Sequence, residues 1–305
     1  MLTWIWRVGL AAFLVVLSTE LIRFYAWRSH IARQLLSQSS VIETNYGAVE
    51  YADRGKGPAV LLIHGTPGGY DQVLSFVDAG ELGQPHVRFI MPSRPGYLRT
   101  PISSGKTPQD QARLFAALLA KLKIGKVVVI GASGGGPSAL AFVLHYPEKC
   151  SALVLEEAVI QHTAVSGSRV PPLLVDFLLF AVREAMRLQP TPREPEQRIM
   201  TALQIGQIES LVPYGKRLTG QSNDYDQFAQ LPRLPLAQIH APTLILHGTE
   251  DKDVPIAHAE YAHAQIAHSE FVKLENADHR MVVTLHAEIS RIVSEFIARH
   301  VEQYP

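Results

Sequence analysis

The sequence is nearly without cysteine. Cys150 is the only one in 305 residues, which excludes an intrachain disulfide and a thiolate-held metal cluster. It also lacks a charge excess: 28 basic and 28 acidic side chains cancel, so no field favours nucleic acid or a strongly anionic partner. No Walker lysine and no G-x-G-x-x-G mark its glycine-rich turn, and no H-E-x-x-H is present. His258, His263 and His268 recur every five residues, about 140° apart on a helix, and so share no metal-binding face. They read as solvated or partly buried histidines. The chain therefore calls for neither a metal nor a cofactor. There is no fixed-period repeat and no low-complexity tract. Charged residues are scarce at 18% against 47% apolar ones, a balance that supports a sizeable core rather than disorder. The length suits one large α/β domain or two small ones.

What the chain has in quantity is apolar sequence, first at its N-terminus. Between Leu2 and Thr19 the only charge is Arg7, and Val8–Ser18 is uninterrupted. Trp4, Trp6, Tyr25 and Trp27 flank the run as interfacial aromatics do. One reading is an uncleaved single-pass anchor, with Arg7 snorkelling to the surface. Another is a secretory signal, whose best cleavage site is Val16-Leu17-Ser18, leaving a secreted or periplasmic protein. A surface or buried helix is the third. Arg23, Arg28 and Arg33 outnumber Arg7, which puts the hydrophilic part on the cytoplasmic side under the positive-inside bias. Removing about the first 30 residues is expected to release a soluble domain.

From Val41 onward the chain alternates. Two short strands, "SVIETN" and "GAVEYADRG", pair around Asn45–Gly47. Continuous apolar runs at 58–65, 86–92, 126–131, 150–158 and 242–248 predict parallel strands buried on both faces. Amphipathic runs at 107–124, 136–148, 256–267 and 286–301 predict helices, the first with Thr107 as N-cap. This alternation predicts an α/β fold, a doubly wound and mostly parallel sheet. Residues 161–240 break it: helical runs such as 171–188 appear, punctuated by Pro190, Pro192 and Pro195, with no strand. Eighty residues are too many for a bare connection, so this stretch predicts a helical cap over the carboxyl edge of the sheet. The expected organisation is an N-terminal hydrophobic helix (1–38), a core (39–160 and 241–305) and the inserted cap (161–240).

The glycines of "VVVIGASGGGPSAL" (127–140) gather around Ser133 at a predicted strand–helix boundary. Gly131-Ala132-Ser133-Gly134-Gly135 fits the G-x-S-x-G nucleophile elbow, in which a sharp turn lifts a serine hydroxyl above the sheet. Bulky neighbours there would meet the strand, the helix or the substrate. A plain glycine-rich turn cradling phosphate is the competing reading, and the missing phosphate motifs weigh against it.

At this point the chain resembles the α/β-hydrolase superfamily, over roughly residues 45–300. Family members order their triad as nucleophile, acid, histidine. "PTLILHGTEDKDVP" resembles the acid-bearing loop and implies Asp251; "FVKLENADHRMV" resembles the histidine loop and implies His279. Asp253 and Asp278 compete for the acid role, and in some relatives the acid follows an earlier strand, where Glu156 or Glu157 would serve. His64-Gly65-Thr66-Pro67-Gly68-Gly69 resembles the oxyanion loop, implying backbone N–H donors at Thr66 and Gly134, with His64 as a buttress. In "PSRPGYLRTP" (92–101), Ser93 replaces an acidic residue common in relatives, and Arg94 is a structural candidate. The resemblance implies a cofactor-free serine hydrolase that cleaves a small-molecule ester or lipid-like substrate through an acyl-enzyme. Prolyl aminopeptidase, carbon–carbon bond hydrolase and perhydrolase chemistries use similar triads. A membrane-tethered binding protein without catalysis is the reading from another class, and a complete triad argues against it.

Overall fold

Apolar runs without alternation need cover on both faces, and the computed structural model supplies it. It describes residues 2–80, 86–165, 167 and 170–301. The predicted core extends to 305, and its last four residues lie outside the described residues. The strands are β1 (Ser40–Thr44), β2 (Gly47–Gly55), β3 (Ala59–Ile63), β4 (Arg88–Pro92), β5 (Val127–Ala132), β6 (Cys150–Glu156), β7 (Thr243–Gly248) and β8 (Ser269–Leu274). They form one sheet in the order β1-β2-β4-β3-β5-β6-β7-β8. β2 runs antiparallel to β1 and β4; every other pair is parallel.

The helices are α1 (Leu2–Ser37), α2 (Tyr70–Asp78), α3 (Pro108–Lys121), α4 (Gly136–His145), α5 (Pro172–Arg187), α6 (Pro195–Glu209), α7 (Leu218–Phe228), α8 (Ala257–Gln265), α9 (Met281–Thr284) and α10 (His286–His300). Side chains alternate across each strand. Val128 and Ile130 of β5 face a core shared with α2, α10 and the second half of α1, while Val127 and Val129 face one shared with α3, α4 and α8. Thr107 caps α3 through a reciprocal capping box with Asp110, and Pro108 opens the helix.

Two features of this architecture bear on the site. Between β6 and β7 lie α5, α6 and α7, a helical insertion in place of a crossover. α1 is a single unbroken helix with two environments. Phe24, Trp27, Ile31 and Leu35 are buried in the body, whereas Val8, Leu10, Phe13 and Val15 stand exposed. Residues 6–37 are apolar and long enough to cross a membrane.

Candidate active site

Parallel strands deliver their following loops to one edge of the sheet, and three such loops meet here. β5 ends at Ala132, and Ser133 follows it with a φ of 48° that is left-handed although it is not glycine. That strain is held by close packing on both sides. A Cβ on Gly131 would lie 2.5 Å from the Ala139 Cβ, and one on Gly135 would lie 2.6 Å from the Ile63 carbonyl oxygen. The glycines let α4 and β3 approach the elbow; the unusual backbone is the serine's own.

The loop after β7 carries Asp251 and the loop after β8 carries His279. His279 Nδ1 lies 2.7 Å from Asp251 Oδ2, and its Nε2 lies 3.0 Å from Ser133 Oγ. With Nδ1–H donated to the carboxylate, Nε2 is left to accept the serine proton. Asp251 Oδ1 accepts the backbone N–H groups of Asp253 and Val254, each at 2.9 Å. Burial alone would push the Asp251 carboxyl up. Hydrogen bonds from His247, His279 and the Val254 amide together outweigh it and hold the group well below the usual carboxylate range.

The other acid candidates sit differently. Asp253 approaches the site only through its backbone N–H to Asp251, and Asp278 is turned to Arg280, 2.8 Å away. Glu157 is closer, with Oε2 4.0 Å from His279 Nδ1. It is buried, has a φ of 48°, and its Oε1 has no hydrogen-bond partner. Burial, the Asp251 charge and Glu156 raise its carboxyl well above the ordinary value. Glu156 is pushed up to about 7 by burial. Glu157, Asp251 and His279 each offer a ligand atom within 4.8 Å of the others, a spacing a cation could use. Asp251 Oδ2 is already committed to the imidazole N–H, so a cation there would have to displace it.

Thr66 and Gly134 adjoin the serine from two directions. A Cβ on Gly65 would come within 3.1 Å of the Ser133 Cβ, and one on Gly134 would overlap the Thr66 side chain. His64 is buried and held well below its ordinary pKa by burial and by Arg94. The neutral ring bonds the Gly65 carbonyl through Nδ1 at 2.8 Å and accepts the Arg94 amide at Nε2, at 2.9 Å. It supports the loop and stands clear of Ser133.

Arg94 binds this loop to the insertion. Its guanidinium donates to Gly65 O and Thr66 Oγ1, at 2.9 Å each, and forms a bidentate pair with Asp224 of α7 at 2.7 Å. Thr66 Oγ1 and Tyr97 OH also donate to Asp224, at 2.5 Å. A second buried pair joins Arg217, just before α7, to Asp71 of α2 at 2.7 Å. At Ser93 the missing acid is replaced through space: Glu50 of β2 accepts from the Ser93 hydroxyl at 3.1 Å and from Arg99 at 2.6 Å. Of the three spaced histidines, His258 is buried rather than solvated. Its Nδ1 accepts the Ile160 amide at 3.0 Å and pins the start of the insertion.

A cavity of about 550 Å³ opens beside Ser133 and His279. Leu62, Val73 and Phe76 line it from the body, Val182 and Met186 from α5, and Gln204, Gln207 and Ile208 from α6. Glu156 and Glu157 lie in its wall.

Residues 58–284 match the sequence model of the alpha/beta hydrolase fold. The chain belongs to this family. Among its relatives, the hydrolase is 30% identical over 237 residues to an uncharacterized hydrolase of Bacillus subtilis (strain 168), covering 71% of this chain and 82% of that one. It is 28% identical over 240 residues to a 2-hydroxy-6-oxononadienedioate/2-hydroxy-6-oxononatrienedioate hydrolase of Burkholderia vietnamiensis (strain G4 / LMG 22486), covering 68% and 76%. Among solved structures, an alpha/beta hydrolase fold protein from Nakamurella multipartita superposes with a TM-score of 0.72 at 30% identity, over 84% of this hydrolase and 98% of that chain.

Proposed function

We propose that this chain is a serine hydrolase that cleaves carboxylic esters through an acyl-enzyme, with Ser133 as nucleophile, His279 as base and Asp251 as its orienting acid. The observation that carries the reading is the unbroken relay from Ser133 Oγ to His279 at 3.0 Å and on to Asp251 at 2.7 Å. His279 takes the serine proton as Oγ attacks the ester carbonyl. The negative charge that develops on the carbonyl oxygen is met by the backbone N–H groups of Thr66 and Gly134. His279 then returns the proton to the departing alcohol, and a water activated in the same way releases the acid. Asp251 remains ionised throughout because its low pKa keeps the proton on the imidazole.

The cavity favours a neutral, largely apolar substrate. The Burkholderia relative acts on a dioate by its name, and the wall here, with Glu156 and Glu157, offers a dianion no countercharge. The two buried arginines near the site, Arg94 and Arg217, are consumed by Asp224 and Asp71, and Arg280 at the rim pairs with Asp278. Ester cleavage is therefore favoured over carbon–carbon cleavage of a dicarboxylate. The exposed apolar stretch of α1 serves in this reading as a single-pass membrane anchor.

A fluorophosphonate probe tests the chemistry. Wild type is expected to label stoichiometrically, and Ser133→Ala and His279→Ala not at all. Folded wild type that refuses the probe would overturn the serine mechanism, and a screen of p-nitrophenyl esters of rising chain length against dicarboxylate dienoates ranks the substrates.

A further inference from the structure

α5 is amphipathic in the wrong direction for a helix that ends in water. Its outward positions are Leu173, Leu174, Phe177, Leu178, Val182 and Leu188, all between 37% and 86% exposed. Ala181 and Ala185 complete that face. At 100° per residue these eight positions spread over one half of the helix, and the only charged residue of α5 on the same arc is Glu184. Asp176, Arg183 and Glu184 are matched by partners on α1 and α6, and Arg187 at the helix end is exposed. Asp176, fully buried, pairs with Arg28 of α1 at 2.7 Å; Glu184 pairs with Arg23; Arg183 pairs with Glu209 at 2.8 Å.

This face continues into α1. Phe24 packs edge-on against Phe177 at 5.5 Å and Phe180 at 5.7 Å, and from that contact α1 runs outward without a break. Its exposed side from Trp6 (76%) to Tyr25 (50%) is about 28 Å long at 1.5 Å per residue, close to the hydrocarbon thickness of a bilayer, with the exposed Glu20–Arg23 pair near its inner end. Aromatics stand at both ends of that length, and Arg23, Arg28 and Arg33 gather where the helix enters the body. A second protein chain would account for the α5 face alone. A lipid bilayer accounts for the face, for the length of α1 and for the aromatics together.

Val182 joins this surface to the active site, since it is 51% exposed on the outer face of α5 and also lines the cavity beside Ser133. We propose that the outer face of α5 lies in the headgroup–acyl boundary of the bilayer that holds α1, so that the cavity opens onto the membrane and takes acyl esters laterally from it. The proposal rests on the anchor reading of α1. Each Leu or Phe side chain seated in this way leaves water for an apolar phase, the source of binding for interfacial helices.

The experiment uses the full chain in vesicles of phosphatidylcholine and phosphatidylglycerol. Flotation reads the anchor. A solvatochromic label on Leu178→Cys reads the docking; Cys150 is buried, so the native thiol does not compete. The label is expected to shift to the blue and to be quenched by lipids carrying a shallow nitroxide, while the same label on Lys121→Cys, on the far side of the sheet, is not. In a second arm, Leu174→Glu with Leu178→Glu is expected to hydrolyse a short soluble ester as wild type does. It should lose at least about tenfold on a long-chain ester presented in the vesicles. A chain that floats with its Leu178 label in water overturns the docking and leaves the anchor standing; a chain that does not float overturns both. Equal losses on the two esters would assign the face to folding and overturn the lateral route. The label reports docking even if the enzyme cleaves no ester at all.

Discussion

At Glu156 a carboxyl lining the cavity keeps its proton up to about pH 7, because burial penalises the charged form. The ordinary value is 4.5. Between those values the unfolded chain has released a proton that the folded chain still binds, so stability falls as pH rises, by about 1.4 kcal/mol per unit. Glu156→Gln removes this penalty. It is expected to stabilise the protein by about 3 kcal/mol at pH 8 and by almost nothing at pH 4, read from urea midpoints at each pH. Asp251 acts with the opposite sign: its depressed pKa contributes stability above the ordinary carboxylate value, which is lost on acidification. The catalytic role proposed for it has its own test. Asp251→Asn should fold and lose roughly 10⁴ in kcat, as the imidazole is no longer held in the productive tautomer. Glu157→Gln, which keeps the size of the side chain and removes its ionisable group, should stay within about threefold of wild type on the same scale. The reverse pattern would move the acid to Glu157.

Single elements cooperate across the site in ways that few local signals announce. α7 supplies Asp224, and with it the grip on Arg94, Thr66 and Tyr97. Asp224→Ala leaves a buried guanidinium without its partner and is expected to cost about 3–5 kcal/mol. It should also lower kcat by on the order of 10² as the Thr66 amide loses its position. Arg94→Met with Asp224→Leu should recover much of the stability but not the rate. The sheet, its main helices and the Thr107 cap were legible in the sequence because each is written in a contiguous stretch: a strand as an apolar run, α3 as a period with a cap. The loops that bring Ser133, Asp251 and His279 together also carry local motifs. Asp224 was not legible, because a lone aspartate on a polar helix has no local mark and its partner is 130 residues away. Glu50 was hidden for the same reason: Ser93 showed that an acid was missing, but not that β2 supplies one. α2 was not among the predicted helices: it starts straight after a glycine-rich turn and spans only nine residues.

For the molecule as a whole, α1 belongs to the body as much as to its surroundings. Cutting the first 30 residues would remove Phe24, Trp27 and Arg28, and would leave the buried Asp176 unpaired. A chain starting near Glu20 keeps all of these. It is expected to be soluble and as stable as full length, whereas one starting at Ile31 should lose several kcal/mol, on the scale of an aromatic core deletion. Thermal melts of both truncations check this. The two ion pairs that tie the insertion to the body, Arg94–Asp224 and Arg217–Asp71, carry a kinetic consequence. Lifting the insertion would have to part both pairs together, each charge regaining water as it leaves its partner, so opening would be an all-or-none step. For the proposed reaction, a route that leaves both pairs intact would run through the wall that Val182 and Met186 of α5 share with Gln204 and Ile208 of α6. Turnover by that route would start with no opening step to wait for.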